Sequence, residues 1–318
     1  MKALRLGTRG SQLALWQART AAALVAQGGG PPSEIVVIKT SGDKLQEVPL
    51  SEVGGKRLFV KEIEDALLRD EVDFAVHSCK DMPAVLPEGL AIGAVLRRED
   101  PRDVMVLPAG GFPPATLEDL LAAVGAEARV GTSSVRRIAE LSRILPRASF
   151  VPIRGNLDTR LRKLDSDGYD ALVLAAAGMR RLGFTDRISF TLPMDACVPA
   201  PGQGAIAIEL RADDARTRTA LAPIDHPATG RAVEAERALV AALGGGCQTP
   251  IGAIAIAEGD ELDLRAVVVS LDGHRAVRAR DRGPATQAAA LGARLAERLV
   301  AEGADAILEE VRRMQEER

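Results

Sequence analysis

Apolar residues recur along this chain in two rhythms. Short strand-like runs, at Ala3 to Leu6, Ile35 to Ile38 and Asp73 to Val76, alternate with longer stretches of helical spacing. The first helical stretch opens at Ser11, a good N-cap, and sets Leu13, Trp16, Thr20 and Leu24 on one predicted face. The next follows the basic glycine loop Gly54-Gly55-Lys56-Arg57 and carries Ile63, Ala66 and Leu67. Alternation of strand, loop and helix predicts an α/β architecture. A second unit of the same layout runs from Arg129-Val130 through Gly131-Thr132-Ser133-Ser134 into a helix over Val135 to Leu145, with further strands at Ser149 to Ile153 and Ala171 to Leu174. Its opening echoes Leu6-Gly7-Thr8-Arg9-Gly10-Ser11, as two similar lobes facing each other would.

The chain turns around Asp100-Pro101-Arg102-Asp103, and the Gly/Pro-rich stretch Pro108 to Pro114 is a candidate crossing between lobes. Pro199 to Gly204 reads as a return linker, delivering the strand Ala205 to Leu210 to the first lobe. A third unit starts with the helical stretch His226 to Leu243. It continues through strands at Ile251 to Ala257 and Leu262 to Ser270, and closes on helices at Ala285 to Ala301 and Ala304 to Gln315. Strands mixed with helices make this unit α/β or α+β. The expected division is 1–103 with 202–222, then 104–201, then 223–318.

Composition narrows the function. Of 318 residues 47% are hydrophobic and 27% charged, a globular balance, while aromatics reach only 3%. Scarce aromatics and a net charge of -3 weigh against a nucleic-acid binder that stacks bases. Cys79, Cys197 and Cys247 are far apart, and His77, His226 and His274 are isolated, so neither a disulfide framework nor a metal-ligand spacing is expected. A reduced, cytoplasmic setting follows, with no signal-peptide core and no apolar run fit to span a membrane.

Three places carry candidate chemistry. Gly244-Gly245-Gly246 ends a helix and holds Cys247 on a tight loop, either as a covalent attachment point or merely as a small residue after a helix C-cap. Lys80 and Asp81 follow the strand Asp73 to Val76. The carboxyl end of a strand is where ligands collect in open α/β sheets, although a surface ion pair is the plainer reading. Between Arg129 and Arg162 stand eight arginines (129, 136, 137, 143, 147, 154, 160 and 162) and two acids, Glu140 and Asp158. Arg136 and Arg137 occupy the first turn of a helix, where the macrodipole disfavours cations. A bound anion held with Ser133 and Ser134 would explain them, and a solvated basic face is the alternative.

These segments together resemble the porphobilinogen deaminase (hydroxymethylbilane synthase) family over nearly the whole chain. The likeness is carried by Thr8-Arg9-Gly10-Ser11, Gly54-Gly55-Lys56, His77 to Pro83, Arg98 to Asp103, Gly131 to Arg137, Arg154-Gly155-Asn156, Gly202-Gln203-Gly204-Ala205 and Gly245 to Gly252. The resemblance implies two lobes like periplasmic binding proteins around a central cleft, and a small third domain bearing the cofactor cysteine. It implies a dipyrromethane cofactor joined to Cys247 by a thioether, and stepwise condensation of four porphobilinogen molecules with loss of ammonia. Hydrolysis then releases linear hydroxymethylbilane. By similarity Asp81 is the catalytic carboxylate. Lys80, Thr132, Ser134, Arg136, Arg137 and Arg160 would hold the cofactor with it. Arg9, Ser11, Arg154, Arg160 and Arg181 would bind substrate carboxylates, and Lys56 would lie on a loop over the cleft. No metal, nucleic acid or membrane partner is implied, and a monomer is expected. A non-catalytic two-lobed anion-binding protein is the competing reading. It needs neither a glycine-held cysteine nor Asp81 within a basic cleft.

Overall fold

The computed structural model describes residues 2–44, 59–111, 113–246 and 248–316. In chain order the strands are β1 (Leu4–Thr8), β2 (Ser33–Val37), β3 (Phe74–Ser78), β4 (Leu90–Val95), β5 (Asp103–Val106), β6 (Arg129–Gly131), β7 (Ser149–Val151), β8 (Ala171–Ala175), β9 (Phe190–Thr191), β10 (Ile206–Arg211), β11 (Ile251–Glu258), β12 (Glu261–Val269) and β13 (Ala276–Pro284). They form three sheets, ordered β2-β1-β3-β10-β4, β7-β6-β8-β5-β9 and β11-β12-β13.

The first two sheets share one plan. In each, parallel strands occupy one side, and one strand enters antiparallel from the far side of the chain: β10 between β3 and β4, and β5 between β8 and β9. Two segments therefore cross between the lobes. One links β4 to β5, over residues 96–102, and the other precedes β10. Pro108–Pro114, expected as the crossing, instead follows β5 within the second lobe, because turn composition marks any surface loop and not a lobe boundary. The return of 205–210 to the first sheet is as expected.

Parallel strands buried on both faces need continuous apolar runs, and Phe74, Ala75 and Val76 of β3 are buried accordingly. On the helix Gln12–Gln27 the buried face is Gln17, Ala18, Ala21 and Val25, not the predicted stripe. Leu13 stands on the cleft wall, and Trp16, partly buried against the core, faces Arg181.

The third sheet is an antiparallel meander, which makes this domain α+β. Side chains alternate along β12: Leu262, Leu264, Ala266 and Val268 pack under the helices Pro227–Ala242 and Ala288–Ala301, while Val267 and Val269 meet Ala139 and Val198 from the second lobe's side. Glu236 fixes this domain to both crossings. Its buried carboxylate accepts from Arg98 (2.8 and 3.0 Å), from the Gly202 N–H (2.7 Å) and from the Ala255 N–H (2.8 Å). β13 was not foreseen, since its alternate positions are Arg278, Arg280 and Arg282 on a sheet edge.

Candidate active site

Where strands end, their loops meet in a cavity of about 1090 Å³ lined by both lobes and the third domain. β3 runs directly into a single 3₁₀ turn, Cys79–Asp81, which sets Lys80 and Asp81 on the wall. Burial, and then the Arg137 charge, pull the Lys80 amine down to about 8, with Asp81 and Asp103 pulling the other way. β1 delivers Arg9 and Ser11. The Ser11 hydroxyl caps the following helix by accepting from the Ala14 N–H (3.3 Å), as its sequence position predicts. Arg9 pairs with Asp43 (2.5 Å) and lies over the Phe59 ring at 4.3 Å. Asp43 and Asp81 are the acids among the described lining residues.

From the second lobe, Ser134 caps the helix Val135–Leu141, and its amide donates to the Thr132 hydroxyl (3.2 Å). Thr132 itself is buried behind the wall, so it braces Ser134 without lining the cavity. The anion beside Arg136 and Arg137 comes from the protein. Asp103 lies 2.8 Å from Arg136 and 2.7 Å from Arg137. Burial opposes the Asp103 charge, but the two guanidiniums outweigh it and hold the carboxyl well below its usual range. Arg136 also donates to Val198 O (2.6 Å), and Arg137 to Val173 O (2.8 Å). The two residues thus carry structural bonds while still lining the cavity.

Arg154 follows β7, and Arg160 sits on the helix Leu157–Ser166 with its Nε donating to Gly155 O (2.9 Å). Burial, then repulsion from Arg137 and Arg154, lower Arg160 to about 10. Arg181 is likewise lowered to about 10, chiefly by burial; it donates to Gly204 O (2.6 Å) and stands over Trp16 at 5.7 Å. A pocket whose cations are destabilised by burial and by one another favours bound carboxylates.

The helix Pro227–Ala242 is followed by Gly244 at φ +60, the left-handed value its position suggests, and Gly244, Gly245, Gly246 and Gln248 all line the cavity. Cys247 lies outside the described residues, as does Lys56. Cys79 and Cys197 are buried. Desolvation pushes the Cys79 thiol to about 11 and the Cys197 thiol well above its ordinary value, so neither offers a thiolate. Three further wall residues carry little sequence signal: Arg237, which donates to Ala84 O (3.0 Å), Asp43, and Gln203 within the return segment.

Gly246 and Gln248, on either side of position 247, both line this basic cavity. The family model described as porphobilinogen deaminase, dipyromethane cofactor binding domain, matches residues 4–219, and that for the porphobilinogen deaminase C-terminal domain matches 231–301. The chain belongs to the porphobilinogen deaminase family. It is 49% identical over 311 residues to the porphobilinogen deaminase of Geobacter metallireducens, covering 98% of this chain and 95% of the relative. It is 50% identical to that of Trichlorobacter lovleyi, covering 98% and 97%. Among solved structures, the Bordetella pertussis BvgS periplasmic VFT2 domain aligns with TM-score 0.41 and 15% identity over 70% of this chain and 86% of that one. The two-lobed plan with a smaller C-terminal domain is the one expected of a porphobilinogen deaminase. No helix among the described residues is long and apolar enough to cross a membrane, and no cluster of described His, Cys, Asp or Glu is arranged to hold a metal ion.

Proposed function

We propose that this chain is a hydroxymethylbilane synthase, a transferase that condenses four porphobilinogen molecules head to tail and releases the linear product. The cavity carries that reading: it is walled by Arg9, Lys80, Arg137, Arg154, Arg160 and Arg181, with Asp81 on the same wall and Gly246 and Gln248, the residues flanking position 247, also lining it. Each porphobilinogen brings an acetate and a propionate, so a growing chain gains negative charge with every unit. Charge-assisted contacts of roughly 1.5–3 kcal/mol each suit guanidiniums whose charge burial disfavours, as at Arg160 and Arg181.

When bound through Cys247, dipyrromethane supplies the primer to which the first unit is joined. Lys80, Ser134, Arg136, Arg137 and Arg160 would hold its carboxylates, with Thr132 bracing Ser134. Arg9, Ser11, Arg154, Arg160 and Arg181 would take those of incoming substrate, and Lys56 would reach the same cleft. Porphobilinogen loses its aminomethyl nitrogen as ammonia, leaving a cation spread over the ring. The Asp81 carboxylate stabilises that charge at the pyrrole N–H and takes part in moving its proton.

Sheet membership supports domain limits close to 1–103 with 202–222, 104–201 and 223–318, except that β5 starts at Asp103, so the first limit belongs one residue earlier. Scarce aromatics and a negative net charge support a small-molecule partner without nucleic acid, and we read the chain as a cytoplasmic monomer. The test is intact mass together with turnover. Purified enzyme should weigh more than its sequence by two linked pyrrole rings and convert porphobilinogen. Cys247→Ala should lose both properties; a variant that still carries the adduct would sink the assignment of Cys247.

A further inference from the structure

Gln203 is 1% exposed, yet it forms part of the cavity wall at the point where the second crossing passes between the lobes. Its amide nitrogen donates to Pro101 O (2.6 Å) on the first crossing and to Asp103 Oδ1 (2.9 Å) in the second lobe. With the nitrogen committed to two acceptors, the amide oxygen must point the other way, and it accepts from Lys80 Nζ at 3.4 Å. The same Asp103 oxygen receives Arg137 at 3.0 and 2.7 Å. One carboxamide thus spans from a cation of the first lobe to the anion that fixes a cation of the second.

The backbone leaves this amide little freedom. Gly202 adopts φ +75, and a Cβ there would lie 2.8 Å from Cys79 Sγ and 3.0 Å from Lys80 N, so the crossing is packed directly on the Lys80 turn. A glutamate at 203 would set a second carboxylate against Asp103, and an asparagine would fall short of one end.

We propose that Gln203 is a positioning residue, which aims the Lys80 ammonium into the cleft and holds it in register with Arg137 through Asp103, so that cations from both lobes address the same bound carboxylates. This rests on the functional reading above, but it can be tested apart from turnover. Lys80 faces Asp81 on its own turn, Arg136, Arg137 and Asp103 from the second lobe, and Gln203 from the crossing. Among these Gln203 can be changed without altering net charge.

The experiment is trace acetylation of holoenzyme with acetic anhydride from about pH 6 to about pH 10, reading Lys80 by peptide mass spectrometry. Gln203→Met removes the acceptor and disfavours the ammonium, so half-labelling should move down by about half a pH unit, roughly a threefold gain in reactive amine at a given pH. Gln203→Glu keeps an acceptor and adds negative charge, so half-labelling should move up. Both variants should lose kcat more than they raise KM. Opposite shifts support the proposal, and if Gln203→Met does not fold, the upward shift of Gln203→Glu suffices. Unmoved or same-direction labelling in folded variants overturns it, and so does failure of both to fold, which would make Gln203 purely structural. Wild-type protein that fails to turn over porphobilinogen would sink the functional reading while leaving this test standing.

Discussion

The Asp103 carboxylate lies 2.8 Å from the Arg136 guanidinium, and both side chains are buried at the junction of the lobes. Its second oxygen serves Arg137 and Gln203, so one acid supports much of the cavity's second-lobe wall. An Asp103→Asn variant keeps the shape and removes the charge, leaving two buried cations without their shared anion. Breaking a buried pair in this way costs about 3–5 kcal/mol. Urea unfolding should show a loss of that order. A loss within about 0.5 kcal/mol, the range of an ordinary surface substitution, would mean that Asp103 does not organise this wall.

Glu140 is the other buried acid of the network, accepting from the Val198 N–H (2.8 Å) and lying 3.5 Å from Arg136. Burial raises it from 4.5 to about 7, and Arg136 only partly offsets this. An acid whose folded value lies above its unfolded value binds protons more readily when native. Its contribution is therefore fully present below about pH 4.5 and is lost as pH rises through about 7. The stability of wild type relative to Glu140→Gln should fall across that interval and level off above it, as measured by denaturant midpoints at fixed salt. A difference that rises over the same interval would reverse the sign and refute the account.

Asp81 shares the cleft wall with Lys80 and, unlike Asp43, makes no described salt bridge. Asp81→Asn should leave fold and cofactor mass unchanged while lowering kcat by about 10²–10⁴-fold, the usual worth of a positioned proton-transfer group. Near-normal turnover would remove Asp81 from the reaction.

Much of this site was legible in the chain because its signals are local. Ser11 and Ser134 announce helix starts, the turn after β3 announces Lys80 and Asp81, and the triple glycine announces position 247. What stayed hidden depends on distance. Asp103 and Arg137 meet across 34 residues, so eight arginines near two acids look unbalanced until the fold supplies a third from β5. Gln203 looks like linker for the same reason, its partners lying 123 and 100 residues away. The buried face of the helix Gln12–Gln27 was misread because a glutamine and two alanines, Gln17, Ala18 and Ala21, form it with Val25, while the larger apolar side chains Leu13 and Trp16 turn toward the cleft and Arg181.

That last pairing gives an optical handle on the cleft. Trp16 is the chain's single tryptophan, and the Arg181 guanidinium stands over its ring at 5.7 Å while donating to Gly204 O (2.6 Å) on the second crossing. Arg181, a residue of the second lobe, therefore touches both the first lobe and the segment between them. Arg181→Gln keeps a donor for the carbonyl but removes the charge over the ring and one cation from the wall. Trp16 emission should change in the variant without any substrate present. KM for porphobilinogen should rise about 10- to 100-fold, the equivalent of one charge-assisted contact of roughly 1.5–3 kcal/mol. Raising the salt concentration should raise KM in wild type and less steeply in the variant, because one screened contact is already gone. An altered emission with unchanged KM would make Arg181 a lobe-to-lobe strut and not a substrate contact.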